Sequence, residues 1–187
     1  ALRSKYPRAR VEKIDLTRAL AHPDVVRILT AKDVPFNKTG HIIQDWDVLI
    51  AEGDCTRYVG DAIVLVATNH KETLDEVLSL VDVTYTELTP LTDPREAMKE
   101  DVPRLHENGN ILTKQVLRRG DVDKAIAEAA YVVTRHYSTP MTDHAFMEPE
   151  CAIGIPDGDG GLLMYTASQS VYDEQKEISR MLKLPPE

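Results

Sequence analysis

The stretch that decides the fold is "RYVGDAIVLVATNHKETLDEVLSLVDVTYTEL", residues 57–88. Ala62 to Ala67 form an unbroken apolar run, the pattern of a buried strand. Thr68 and Asn69 turn the chain, and Leu74, Val77, Leu78 and Val81 then recur at helical spacing. Val83, Tyr85 and Glu87 close the unit as a second strand. A strand, a helix and a strand within roughly thirty residues is the length of one crossover, and an α+β class is expected for the chain as a whole. Ahead of it, "RYVGDA" carries one glycine where a phosphate-cradling loop needs several, and it reads as a turn into the buried strand.

Working outward, "ARVEKIDLTRALAHPDVVRILTAKDVP" at 9–35 precedes this unit. Val11 and Ile14 alternate with charged neighbours as a strand does, Thr17 is placed to cap a short helical turn ended by His22 and Pro23, and "DVVRILT" supplies another strand. Asn37 to Asp54 reads as polar and irregular. Beyond residue 88, prolines and an Asn-Gly pair gather in "TPLTDPREAMKEDVPRLHENGNI", the composition of a link between two units. "GDVDKAIAEA" then predicts a helix with Asp121 as N-cap and Ile126 on its apolar face, and "AYVVTRHYSTP" predicts a strand. "CAIGIPDGDGGLLMYTAS" predicts a hairpin about its Asp-Gly-Asp-Gly-Gly turn. The last helix carries Ile178, Met181 and Leu182 on one side, with Ser170 and Asp173 in capping-box spacing. The start at "ALRS" without Met and the ending "LPPE" just past a helix are the expected marks of a piece of a longer chain.

Composition excludes several classes. With 22 Lys and Arg against 31 Asp and Glu, the net charge is -9, and no basic cluster is available to track phosphates. Two cysteines, Cys55 and Cys151, lie far apart without Cys-x-x-Cys spacing, so neither a disulfide framework nor a zinc or iron-sulfur site is expected from this chain. That usage fits a reducing, cytoplasmic setting. No apolar run reaches the roughly 20 residues of a membrane span.

Three candidate sites follow from residue type. His144 and Glu148, four apart in "TDHAFMEPE", would share a helical face and offer a metal two ligands, but Pro140 and Pro149 bracket them and the segment is read as structural. Cys55 and Cys151 lack a His and Asn context and are read as inert. Gln169 stands just before a helix N-terminus, where a neutral amide donates to an oxo or phosphate oxygen and the helix dipole favours the same ligand; a capping or turn role is the alternative. No residue is assigned as catalytic and none as a metal ligand.

The order of segments carries a resemblance. "RARVEKIDLTRALAHPDVVRILTAKDVP", "RYVGDAIVLVAT", "VDVTYTELTPLTDPREAM", "HENGNI", "RRGDVDKAIAEAAYVVTRHYSTPMTDHAFMEPECAIG" and "YTASQSVYDEQKEISRMLKLP" follow one another as in the large, molybdenum-binding chain of the xanthine dehydrogenase and aldehyde oxidase family, over practically the whole length. The resemblance implies an α/β hammerhead domain over 1–95, a linker over 96–119 and the beginning of the molybdenum cofactor-binding domain over 120–187. It places Gln169 in the turn whose glutamine hydrogen-bonds an oxo ligand of the molybdenum. "AFMEPE" is similar to the xanthine dehydrogenase-like bacterial branch, which implies a purine or related heterocycle as substrate, hydroxylated with water-derived oxygen.

The same resemblance implies molybdenum-molybdopterin on the full-length chain, [2Fe-2S] clusters and FAD on other domains or subunits, and an oligomer. It also places the glycine-rich Phe-Gly-Gly loop and the catalytic glutamate beyond Glu187, so this stretch alone is expected to be inactive. "GDAIV" departs from the family's frequent Gly-Gln-Pro-Val at a loop read as structural. A non-catalytic scaffold or assembly module with a hammerhead fold is the alternative function.

Overall fold

The computed structural model describes every residue except Phe146, Glu148 and Glu187. In chain order its elements are β1 (Leu2–Arg3), β2 (Ala9–Asp15), α1 (Thr17–Leu20), β3 (Val25–Leu29), β4 (Lys38–Thr39), β5 (Trp46–Asp47), β6 (Ala62–Thr68), α2 (Leu74–Leu80), β7 (Asp82–Glu87), α3 (Pro94–Ala97), α4 (Val122–Glu128), β8 (Ala152–Pro156), β9 (Leu162–Thr166) and α5 (Val171–Leu182). They form two compact units, one of residues 1–110 together with the chain from Ser168 onward, the other of Ile111–Ala167. Among the described residues no helix is long and apolar enough to cross a membrane.

In the first unit β6 is the middle strand of a three-stranded antiparallel sheet ordered β1-β6-β3. Its apolar run supplies Ile63 and Val64, both fully buried, and these meet Val11 of β2, Ile28 of β3, Ala19 of α1 and Val77 of α2 in one core cluster. The run is not buried throughout, because Leu65 is 39% exposed; the far half of β6 has a solvated face, as antiparallel sheets permit. β7 pairs antiparallel with β2, setting Val11 opposite Tyr85 and Ile14 opposite Val83. The β6–α2–β7 unit therefore joins strands of two different sheets, whereas a crossover would return to its own.

The stretch expected to be irregular contributes to the core. Leu49 and Ile50 are each 1% exposed, and the Asn37 side chain stands in for a strand by donating to the Leu49 carbonyl at 2.7 Å and accepting the Leu49 N–H at 2.9 Å. β4 and β5 pair across it, with Lys38 opposite Asp47 and Thr39 opposite Trp46. Asp47 is buried between Lys38 Nζ at 2.5 Å and Arg57 Nη1 at 2.7 Å. The turn before β6 is closed by buried Asp61, which accepts the Arg57 N–H at 2.6 Å; the structural expectation for "RYVGDA" holds there. Residues 94–110 also fold against this unit, with Asn110 donating to the Ala97 and Pro103 carbonyls at 3.0 Å and Arg57 Nε donating to the Leu105 carbonyl.

Local signals succeed unevenly. Thr17 is the first residue of α1, not its cap; Leu16 holds the cap position, and the Asp15 carboxylate accepts the Thr17 N–H at 3.0 Å. In the second unit Asp121 caps α4 by accepting the Lys124 N–H at 3.0 Å, as expected. β8 and β9 form the expected antiparallel hairpin. Its turn is shaped by Asp157 Oδ1, which accepts the Asp159 and Gly161 N–H groups at 3.0 and 2.9 Å. The strand expected over 130–140 is absent from the ladders of the described residues. Tyr131, Val132, Val133 and Tyr137 are exposed there, and β-branched and aromatic residues make a strand only where a neighbour pairs with them.

Candidate cofactor-binding site

Gln169 stands in a tight turn between β9 and α5. Ser168 and Ser170 flank it, and the Ser168 hydroxyl accepts the Ser170 N–H at 3.0 Å, closing the backbone around Gln169. Ser170 has the extended backbone of an N-cap, φ -144° and ψ 93°. Its hydroxyl donates to Asp173 Oδ2 at 2.7 Å instead of capping the backbone. The capping-box spacing is thus realised as a side-chain pair, so the predicted box is not formed. Gln169 is exposed, and its amide has no hydrogen-bond partner among the described residues.

This donor set suits a neutral oxygen ligand better than a phosphate. Asp173 and Glu174 occupy the first turn of α5 and already complement the positive end of the helix dipole, so the dipole gives an anion little further attraction. What remains is the Gln169 amide, which donates two hydrogen bonds without adding charge. It fits the hydrogen-bonding need of an oxo ligand on a molybdenum cofactor.

The orientation of α5 depends on a polar stripe that its apolar pattern did not reveal. Asp173, Glu177 and Arg180 recur at i, i+4 and i+7, so they share one helix face. The β4–β5 loop meets all three. Thr39 Oγ1 donates to Glu177 Oε2 at 3.0 Å, Arg180 Nη1 to Glu177 Oε1 at 2.7 Å, and His41 Nδ1 lies 3.9 Å from Asp173 Oδ2. With its amide oxygen turned toward the helix, Gln44 accepts from Arg180 Nη2 at 3.2 Å and also from Nη1. The Phe36 N–H adds a bond to the Met181 carbonyl at 3.0 Å. Burial pushes the Glu177 carboxyl up, but hydrogen bonds from Thr39 and Arg180, the Arg180 charge and the Gly40 N–H outweigh it and hold the group below its ordinary value.

The other candidates are not assembled into sites. His144 Nδ1 lies 3.5 Å from Asp143 Oδ1, while Glu148 is outside the described residues. Among the described residues no three His, Cys, Asp or Glu side chains gather as a metal-binding group. Cys55 and Cys151 are free thiols, the former half-buried and the latter exposed. Sequence reasoning missed the loop–helix contact because Thr39 and Glu177 are 138 residues apart; the one local signal was the charged stripe of α5.

Comparison with known proteins places this architecture. Residues 1–89 match the aldehyde oxidase and xanthine dehydrogenase a/b hammerhead domain, and residues 105–187 match the molybdopterin cofactor-binding domain. A hammerhead unit followed by the opening of such a domain defines a molybdopterin-binding chain. The chain belongs to the aldehyde oxidase and xanthine dehydrogenase family. It is 36% identical over 187 residues to a probable xanthine dehydrogenase subunit of Bacillus subtilis (strain 168), covering 100% of this chain and 25% of that protein.

It is also 34% identical over 184 residues to the nicotinate dehydrogenase large molybdopterin subunit of Eubacterium barkeri, covering 98% of this chain and 43% of that subunit. The chain thus spans less than half the length of these relatives. In fold it is similar to the aldehyde oxidoreductase of Desulfovibrio gigas, with TM-score 0.85, 24% identity and coverage of 99% of this chain and 22% of that one. Quinoline 2-oxidoreductase from Pseudomonas putida 86 gives TM-score 0.84 at 24% identity, over 100% of this chain and 25% of that one. The expected α+β class, hammerhead first and cofactor-binding domain second, is borne out.

Proposed function

We propose that the longer protein carrying this chain is a molybdenum hydroxylase that adds water-derived oxygen to an electron-poor carbon of a purine or related heterocycle, and that Gln169 holds an oxo ligand of its cofactor. One observation carries the proposal: within a segment matched to the molybdopterin-binding domain, the Gln169 amide is exposed at a closed turn and has no partner among the described residues. When bound, molybdenum-molybdopterin supplies two-electron redox and Lewis-acid chemistry. The chain's contribution is orientation. Gln169 donates to oxygen without altering the charge of the site, and the Ser168–Ser170 turn limits where its backbone can go.

The heterocyclic substrate is supported by two relatives whose names contain xanthine and nicotinate, both nitrogen heterocycles. Electrons are proposed to leave through [2Fe-2S] clusters and FAD on partner domains or subunits, and the assembly to be oligomeric and cytoplasmic, consistent with two free thiols. Residues 1–187 alone are proposed to be inactive. The test is Gln169→Ala in the complete enzyme, with molybdenum content and turnover of xanthine and nicotinate measured together. A fall in turnover or in cofactor retention is expected. Unchanged values of both would refute the role.

A further inference from the structure

We infer that the β4–β5 loop is a positioning clamp for the Gln169 turn, with Glu177 as its central residue; this rests on the proposal that Gln169 contacts the cofactor. An amphipathic helix held only by Ile178 and Met181 has an apolar stripe that tolerates rotation and sliding. Polar contacts at Asp173, Glu177 and Arg180 remove that freedom, because each must meet a partner at hydrogen-bond or ion-pair distance. A slip of one residue moves a helix about 1.5 Å along its axis and turns it by about 100°. Gln169 lies two residues before the first helical residue, so the setting of α5 is the setting of the amide.

The clamp is built for close approach. Gly40, between Thr39 and His41, has φ +151°, and a Cβ there would lie 1.9 Å from the Ile43 carbonyl oxygen. Only glycine permits a turn this tight, and the turn brings the Thr39 hydroxyl onto the Glu177 carboxylate. At the N-terminal end, Asp173 links His41 to Ser170, the neighbour of Gln169. Glu177 is therefore a positioning residue acting through α5, not a group that touches the cofactor.

The test compares Glu177→Ala, Glu177→Gln, Thr39→Val and Gln169→Ala in the complete enzyme, with Lys176→Ala on the exposed side of α5 as control. Read together are molybdenum content, thermal midpoint, turnover per molybdenum and the paramagnetic resonance signature of the reduced molybdenum. Misplacement of a positioned group by about 1 Å can cost on the order of 100-fold, so turnover per molybdenum should fall by about 10- to 100-fold in Glu177→Ala. The resonance signature should shift as it does in Gln169→Ala. Glu177→Gln, which keeps an oxygen for Thr39, should recover most of the wild-type signature, and Lys176→Ala should match wild type.

If Glu177→Ala and Thr39→Val lower only the thermal midpoint while the signature superimposes on wild type, and Gln169→Ala still changes it, the clamp is refuted and the Gln169 proposal stands. If Gln169→Ala leaves signature and content unchanged, the Gln169 proposal fails and takes the clamp with it. Should Glu177→Ala not fold, Thr39→Val decides by the same signature.

Discussion

Replacing Asp47 with Ala should destabilise the first unit by about 2–4 kcal/mol. The Asp47 side chain is 5% exposed and joins Arg57, 19% exposed, and Lys38, 41% exposed. Lys38 reaches water easily, so its share is that of a surface pair, roughly 0–1 kcal/mol. Arg57 cannot leave as freely. Its charge-assisted hydrogen bond is worth about 1.5–3 kcal/mol, and stranding one partner of a buried pair costs about 3–5 kcal/mol. The guanidinium's residual exposure brings the sum toward the lower part of that range. Urea unfolding of the purified protein measures the change, and about 3 kcal/mol should lower Tm by roughly 6–12 °C at about 2–4 °C per kcal/mol. Arg57→Met in the Asp47→Ala background should restore part of the loss, giving a coupling of about 1–3 kcal/mol. A single-mutant cost under about 0.5 kcal/mol, or strict additivity in the cycle, would refute the argument that Asp47 stability is the pairing of Arg57.

Lys183 holds the left-handed position after α5, φ 54° and ψ 39°, and the Lys183 and Leu184 N–H groups bond to Arg180 and Ser179 carbonyls at 3.1 and 2.8 Å. Lys183→Gly should stabilise by about 0.5 kcal/mol, the relief of roughly 1–2 kcal/mol of left-handed strain less glycine's chain entropy and the lost charge at the helix end; a lower urea midpoint would count against it. The Thr73 hydroxyl, with His70, holds the Asp24 carboxyl below its ordinary value. A depressed folded value means stability present above about pH 4 and lost as pH falls through the folded value. Thr73→Val should therefore move the acid-unfolding midpoint to higher pH, and coincident acid curves would exclude the assignment.

The parts of the fold legible in the sequence are those whose signal is local. β2, β3, β6, α2 and β7 announce themselves by period, the β8–β9 hairpin by its Asp-Gly turn, and α4 by Asp121 at its cap. β4 and β5 escape because each is two residues long, too short for alternation to register. Leu49 and Ile50 escape because a polar neighbourhood hides two fully packed side chains. Residues 130–140 mislead in the opposite direction, since Tyr131, Val132 and Val133 have strand composition without a pairing strand among the described residues. The Ser170 and Asp173 spacing likewise predicts which side chains meet, but not whether they choose the backbone or each other. Gln169 entered as a neutral amide before a helix N-terminus, a position that also fits a cap or turn residue, and only the ordered resemblance of whole segments favoured the cofactor role.

The structural division of the molecule differs from the division by matched segments, and the difference bears on function. α5 and Gln169 lie within the span matched to the molybdopterin-binding domain, 105–187, yet they pack with residues 1–110. The contacts there include Thr39, His41 and Gln44 against Glu177, Asp173 and Arg180, and the Phe36 N–H on the Met181 carbonyl, all dependent on geometry. Meanwhile the second unit leaves Ile153, Ile155, Leu163 and Tyr165 of its hairpin about half exposed, and a two-stranded hairpin is marginally stable by itself. Within residues 1–187, contacts that hold the helix behind Gln169 come from the hammerhead side. A change in the β4–β5 loop should then reach the Gln169 turn more directly than an equally destabilising change in the β8–β9 hairpin, although the hairpin is the nearer element in sequence.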